Sequence, residues 1–386
     1  MLVCRRPSLS ARTNACKPVI PMMHVSHAIL HAFDFESGSA YPSERELDMG
    51  GRSVKSYVQR QLRKTISSAE SKHGEFSEAS VLREALESYA AGAGVGFVEL
   101  SQQLARMLWE ELRRCDELEQ ADLLVCDFTD TRDLKARAQD AGGQVADAMA
   151  APAEDVDLED LSVRYFAAIL LPRKQAFVHE LGADGAGAAA NDILRQDSTL
   201  PNPTQKADTY LLVNMANGAI DFHDKRRTQG SQEVSVVADK LLRCVAQASS
   251  KEVVERVEQI VREVAEEAGE NVTRAVAQAK HVVAQEAERA ESFSPGEVGR
   301  RVFEERPELQ ERYERAAQES DLPEEVPVRR GVANRMAKSH KIKTDTGIEI
   351  TFPSEYAADA NYIEFTSDAE GYVSIVIKNV GRIENR

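Results

Sequence analysis

Cysteine is scarce in this 386-residue chain, and what there is does not cluster. Cys4, Cys16, Cys115, Cys126 and Cys244 are odd in number and form no CxxC pair. That disfavours a disulfide framework and cysteine-held zinc, and leaves buried thiols in a reducing cytoplasm as the expectation. Long apolar runs are missing as well. The longest, YFAAILLP at 165–172, is too short to cross a bilayer and suits a buried strand, so no membrane partner is expected. No GxSxG, HExxH or P-loop signature is present. GAGVG at 92–96 is glycine-rich, but no clear strand precedes it, so it is not read as a nucleotide loop. His24, His27 and His31 stand close together, yet in a strand only His27 and His31 share a face. His179 and His223 fall on expected strands, with nothing to show that they converge with carboxylates. The acids are too numerous to nominate a general acid–base pair. The expectation is therefore no catalytic residue, no metal, no cofactor and no enzyme activity.

Acid is what the chain has in excess. Asp and Glu number 64 against 48 Lys and Arg, a formal net charge of −16. On average such a chain repels nucleic acid. Screening limits that repulsion to short range, so a local basic patch can still bind phosphate. Apolar content of 42% with ordinary glycine and proline indicates a folded, soluble protein, and the length allows two or three domains.

The chain divides by pattern. Residues 1–23 carry four cations and no acid; the first acid is Asp34. This stretch has no periodicity. It is read as a disordered leader, or as the product of an upstream start codon in place of Met22 or Met23. Residues 24–232 read as an α+β domain, a mixed sheet with helices. Its expected strands are 25–35, 123–128, 165–171, 176–181, 209–214 and 219–224. Its expected helices are a basic one over 53–72, one capped by Ser77 and running to about Tyr89, and one over 97–115. Between 116 and 160 there are fourteen acids and three bases, read in part as a solvated acidic loop. Residues 233–325 read as a long helical middle. Val253, Val257, Ile260, Val261, Val264 and Ala268 mark one apolar face. Ser249 with Glu252, and Ser294 with Pro295 and Glu297, match capping boxes. Pro307 starts a further helix to about Glu319. These acidic helices suit an intrachain hairpin or a homo-oligomer interface, with intrachain packing the expectation. Residues 326–386 read as a basic segment plus a small antiparallel β-meander, with a turn at Asp345–Gly347 and further strands at 362–365 and 372–379.

Three basic groups stand out of the acidic background. The densest, RRGVANRMAKSHKIK at 329–343, holds Arg329, Arg330, Arg335, Lys338, Lys341 and Lys343 and no acid. The second, over 52–72, includes Arg60, Arg63 and Lys64. The third is Lys225, Arg226 and Arg227. Each alone could be a solvated face. Together they are candidate phosphate contacts, because Lys and Arg that neutralise phosphates and release counterions supply most DNA affinity. No helix-turn-helix or zinc-finger spacing is found, so base-specific readout is not indicated.

The tail HKIKTDTGIEITFPSEYAADANYIEFTSDAEGYVSIVIKNVGRI and the stretch KADTYLLVNMANGAIDFHDKR at 206–226 resemble the bacterial nucleoid-associated protein family of the NdpA (YejK) type. AILHAFDF, GEFSEASVL, FVELSQQLARMLWEEL and ADLLVCDFTD agree with it in order. The resemblance runs from about residue 25 onward, apart from the loop GADGAGAAA at 182–190. It implies a cytoplasmic, DNA-binding protein of the nucleoid without catalysis. The resulting expectation is sequence-independent contact with duplex phosphates, with RNA as a further candidate ligand. The alternative is an adaptor whose acidic helices engage a DNA-processing enzyme.

Overall fold

The computed structural model describes residues 23–77, 80–130, 162–183, 189–244, 246–328, 330–357, 359, 361–367 and 373–382. The leader 1–22, the acidic segment 131–161, residues 184–188 of the glycine-rich loop and Arg329 lie outside the described residues.

A seven-stranded sheet builds the centre, with its most apolar strands in the middle and short polar ones at its edges. Its strands are β1 (Met23–Asp34), β2 (Ser39–Tyr41), β3 (Lys72–Gly74), β4 (Ala121–Asp130), β5 (Val163–Pro172), β8 (Thr209–Asn214) and β9 (Ile220–Asp224). They lie in the order β2-β1-β4-β5-β8-β9-β3. Every pairing in this sheet is antiparallel, which refines the mixed sheet expected from sequence. The runs LLVCDF and YFAAILL are continuous rather than alternating because helices cover both faces of the sheet. On one face, Leu124, Cys126, Phe128, Ala167, Ile169 and Leu212 pack against Val58, Leu62 and Ile66 of helix α1 (Arg52–Ile66). On the other, Leu123, Val125, Phe166, Leu170 and Leu211 pack against helices α2 (Val81–Ala90) and α3 (Phe97–Leu112) and the π-helix Val236–Leu242. Cys115 and Cys126 are buried thiols.

Several boundaries differ from the sequence reading. The basic helix expected over 53–72 stops at Ile66, and Lys72–Gly74 forms the sheet edge beside β9. Ser80, not Ser77, caps α2, its hydroxyl accepting the Arg83 N–H at 3.4 Å. α3 ends at Leu112 rather than 115. GAGVG is a helix-to-helix turn, with φ of +63° at Gly92 and +89° at Gly94. The strand expected at 176–181 exists but is not in the main sheet. β6 (Lys174–Ala183) pairs with β7 (Ala189–Thr199) in a two-stranded hairpin of their own. A shorter hairpin, β10 (Arg227–Gln229) and β11 (Gln232–Val234), leads to the π-helix.

Helices α4 (Ser250–Glu267) and α5 (Val272–Ala290) form a hairpin within the chain, followed by α6 (Pro295–Val302) and α7 (Pro307–Glu319). The Ser249–Glu252 capping box is complete. At α6 it is half made: Ser294 accepts the Glu297 N–H, but its own N–H goes to Glu286 instead. The helical core continues past residue 325. β12 (Ser292–Phe293) pairs with β13 (Val326–Pro327), and Val326, Val328, Val332, Ala333 and Ala337 pack with Val276 and Ala279. The residues Val332 to Ala337 belong to helix α8 (Arg330–Ala337). The expected C-terminal antiparallel segment is built as two hairpins, β14 (Ser339–Lys343) with β15 (Glu349–Pro353) and β16 (Ile363–Ser367) with β17 (Val373–Ile377). Phe352 and Ile363 seat them on Ala277 of α5.

Candidate nucleic-acid interface

The basic stretch at 329–343 is half helix, half strand. Within α8, Val332, Ala333, Met336 and Ala337 turn inward, while Arg335, and Lys338 just after it, are exposed. That apolar spacing is helical and was legible in the sequence; the density of charge obscured it. Arg330 opens α8. Lys341 and Lys343, two residues apart on β14, share Glu349 of β15 at 2.7 and 4.0 Å. Among the described side chains, Arg335, Lys338, Lys341 and Lys343 make no ion pair with an acid of α4 to α7.

α1 brings the second group. Arg60, Arg63, Lys64 and Ser67 follow one another at helical spacing on a single stripe. Arg60 and Arg63 are exposed and, among the described residues, meet no carboxylate. Lys64 Nζ donates to the Thr204 carbonyl at 3.0 Å. At the end of the stripe the Ser67 carbonyl accepts a hydrogen bond from the Arg335 guanidinium. Two basic segments, joined through residues 268 apart in sequence, thereby meet.

Beside this joint lies a cleft of about 400 Å³ between α1, the turn after it, the loop before β8 and the start of α4. Lys64, Lys206, Lys251 and Arg335 line it against one acid, Glu70. Lys206 and Lys251 reach the same Glu70 oxygen, at 2.8 and 3.0 Å. Lys206, and then Lys251, hold the Glu70 carboxyl down at about 2 against the opposing pull of its partial burial. The Lys251 ammonium is pushed up in return. Sequence alone does not mark Lys206 or Lys251. Each is isolated there, and only the docking of α4 on the 67–70 turn brings them together. In that docking the Lys251 N–H donates to the Ala69 carbonyl at 3.1 Å.

A family model for nucleoid-associated protein YejK matches residues 29–385. The chain belongs to that family. A nucleoid-associated role follows, and the YejK family is not a known enzyme family. No individual curated protein matches the chain. No helix among the described residues is long and apolar enough to cross a membrane. Among the same residues no group of three His, Cys, Asp or Glu is placed to hold a metal ion.

The third basic group of this YejK-family chain is spent on internal contacts. Lys225 pairs with Glu119 at 2.7 Å and Arg226 with Glu233 at 2.9 Å. Arg227 is turned inward, its side chain 10% exposed, onto the buried Asp224 at 3.2 Å. It also donates to Thr209 Oγ1 and the Lys225 carbonyl. Burial raises the Asp224 carboxyl to about 6. The histidines stay apart: His179 is on the β6–β7 hairpin, and His223 donates its Nδ1–H to the Asp208 carbonyl at 2.8 Å. His27 meets Glu46 at 3.0 Å, and His31 Nδ1 accepts the Ser43 N–H at 2.9 Å.

Proposed function

We propose that this protein binds duplex DNA, without catalysis, through phosphate contacts made by one continuous basic surface: the α1 stripe, α8 and β14. The observation that carries the reading is the Arg335–Ser67 bond, which fastens two basic elements together in a chain of net charge −16. Membership of a nucleoid-associated family supports DNA as the ligand. Arg60, Arg63 and Lys338 contribute most, because no carboxylate among the described residues competes for them. Lys341 and Lys343 contribute less, since they share Glu349. Arg227 is left out, being committed to Asp224. Contacts of this kind position a duplex and carry little sequence information.

The test is the salt dependence of duplex binding. Five phosphate contacts give a slope of log K on log salt of roughly −4.5, so a fourfold rise in salt weakens binding about 500-fold. Changing Arg60, Arg63 and Lys338 together to Ala should weaken all duplexes alike and flatten the slope by roughly 3. An unchanged slope in a variant that melts normally sinks the surface. Single-stranded DNA and RNA as competitors establish which nucleic acid is preferred.

A further inference from the structure

We propose that the cleft beside the α1–α8 joint is a phosphate-binding site in which the Glu70 carboxylate holds the place of a DNA backbone phosphate, which displaces it from Lys206 and Lys251. This rests on the DNA-binding reading above and adds to it three residues, Glu70, Lys206 and Lys251, that lie outside the surface named there.

The geometry points to a tetrahedral anion. One Glu70 oxygen takes both ammonium groups, at 2.8 and 3.0 Å. Lys64 and Arg335 line the same space and, among the described residues, reach backbone carbonyls, those of Thr204 and Ser67. Four cations thus face one carboxylate. A planar carboxylate here engages two of them; a phosphate has oxygens enough to engage more at once, by charge-assisted hydrogen bonds. The cations come from four separate segments, so no single helix end makes the site. α4 begins here, with Lys251 in its first turn, and its positive end adds to the attraction. Two other acids come close among the described residues. Glu255 sits 4.0 Å from Lys251, exposed at the rim. Glu252 pairs with Lys72 at 3.4 Å and closes the cap of α4. The ease with which Glu70 gives up its proton accords with a carboxylate standing in a field made for a stronger anion.

The position favours a DNA phosphate over a free one. The cleft adjoins the stripe of Arg60 and Arg63 and opens where Arg335 crosses from α8, so a backbone lying along the stripe passes over it.

Glu70→Gln separates this reading from a structural tie. With the full-length protein, it should tighten duplex binding about fivefold, the effect of lifting one neighbouring charge at water-like screening. Glu311→Gln on α7, with the same change in net charge, should leave affinity as it is. Lys206→Gln with Lys251→Gln should flatten the salt slope by roughly 2. Unchanged or weaker binding by Glu70→Gln overturns the proposal, as does an unaltered slope in the double variant. Neither result touches the surface itself, which stands or falls on Arg60, Arg63 and Lys338. In a parallel arm, inorganic phosphate is titrated against wild type and double variant by thermal shift. Stabilisation of wild type alone, without any Glu70→Gln effect on duplex, assigns the cleft to free phosphate and overturns the DNA assignment.

Discussion

Gly299 stands in the middle of α6, where alanine would ordinarily favour the helix by about 1 kcal/mol. Here a Cβ would lie 2.0 Å from Cδ1 of Tyr313, a ring with no exposed surface whose hydroxyl donates to the Pro295 carbonyl at 2.8 Å. The ring is held on all sides, so it cannot give way. Gly299→Ala should therefore destabilise by about 3 kcal/mol, read as a lower midpoint in urea with an unchanged slope. Nothing in the sequence pairs Gly299 with Tyr313, because the close approach is a property of two helices meeting. The same limit applies to charge. Arg226 and Arg227 are indistinguishable in sequence, and only the burial of Asp224 sends one outward and the other in. Lys338 and Arg335 were legible as basic residues; what each would reach was not.

Elements with strong local chemistry were readable at their starts. Ser249 with Glu252 satisfies the first free N–H groups of α4, and Pro307, which has no N–H to leave unpaired, opens α7. Ends and partners were harder. α1 stops at Ile66 because the following residues serve α4 and the sheet edge, a tertiary demand its own composition does not carry. The apolar stripe of α4 lies inside the hairpin, with Val257 0% and Ile260 1% exposed. Val257→Asp and Ile260→Asp should each cost about 4 kcal/mol or more, since the new carboxylate is buried with no cation facing it. Chemical melts followed by far-UV circular dichroism would report this. Melting like wild type for either variant would mean that the stripe faces solvent.

For the molecule as a whole, the candidate interface is assembled from parts that the chain keeps far apart, which is why sequence gave basic groups but not their junction. Stability against pH is also a property of the whole. Burial, with Arg106 acting on one and Lys280 on the other, lowers His31 and His340 to about 4. The unfolded chain protonates these rings near 6.5. Their contribution is therefore complete above that pH and lost as pH falls from 6.5 to 4. Asp224 acts in the opposite sense, losing stability as pH rises through about 6. Asp122, Glu258 and Glu286, also raised by burial, act in the same sense as Asp224, so the histidine share of any fall in melting temperature on acidification through this window is read by substitution. His340→Leu should make the fall shallower; an equally steep fall would remove His340 from the account. The order of the sheet has a further consequence, in time. Both its edges, β2 and β3, come from the first 74 residues, and β3 pairs with β9, His73 with Asp221. Those partners are 148 residues apart, which at ribosomal speed is a delay of roughly 7–30 s. The nascent chain must hold one margin of its sheet open for that long. β3 is three residues long and begins with Lys72, so it offers a stray strand little to pair with while it waits.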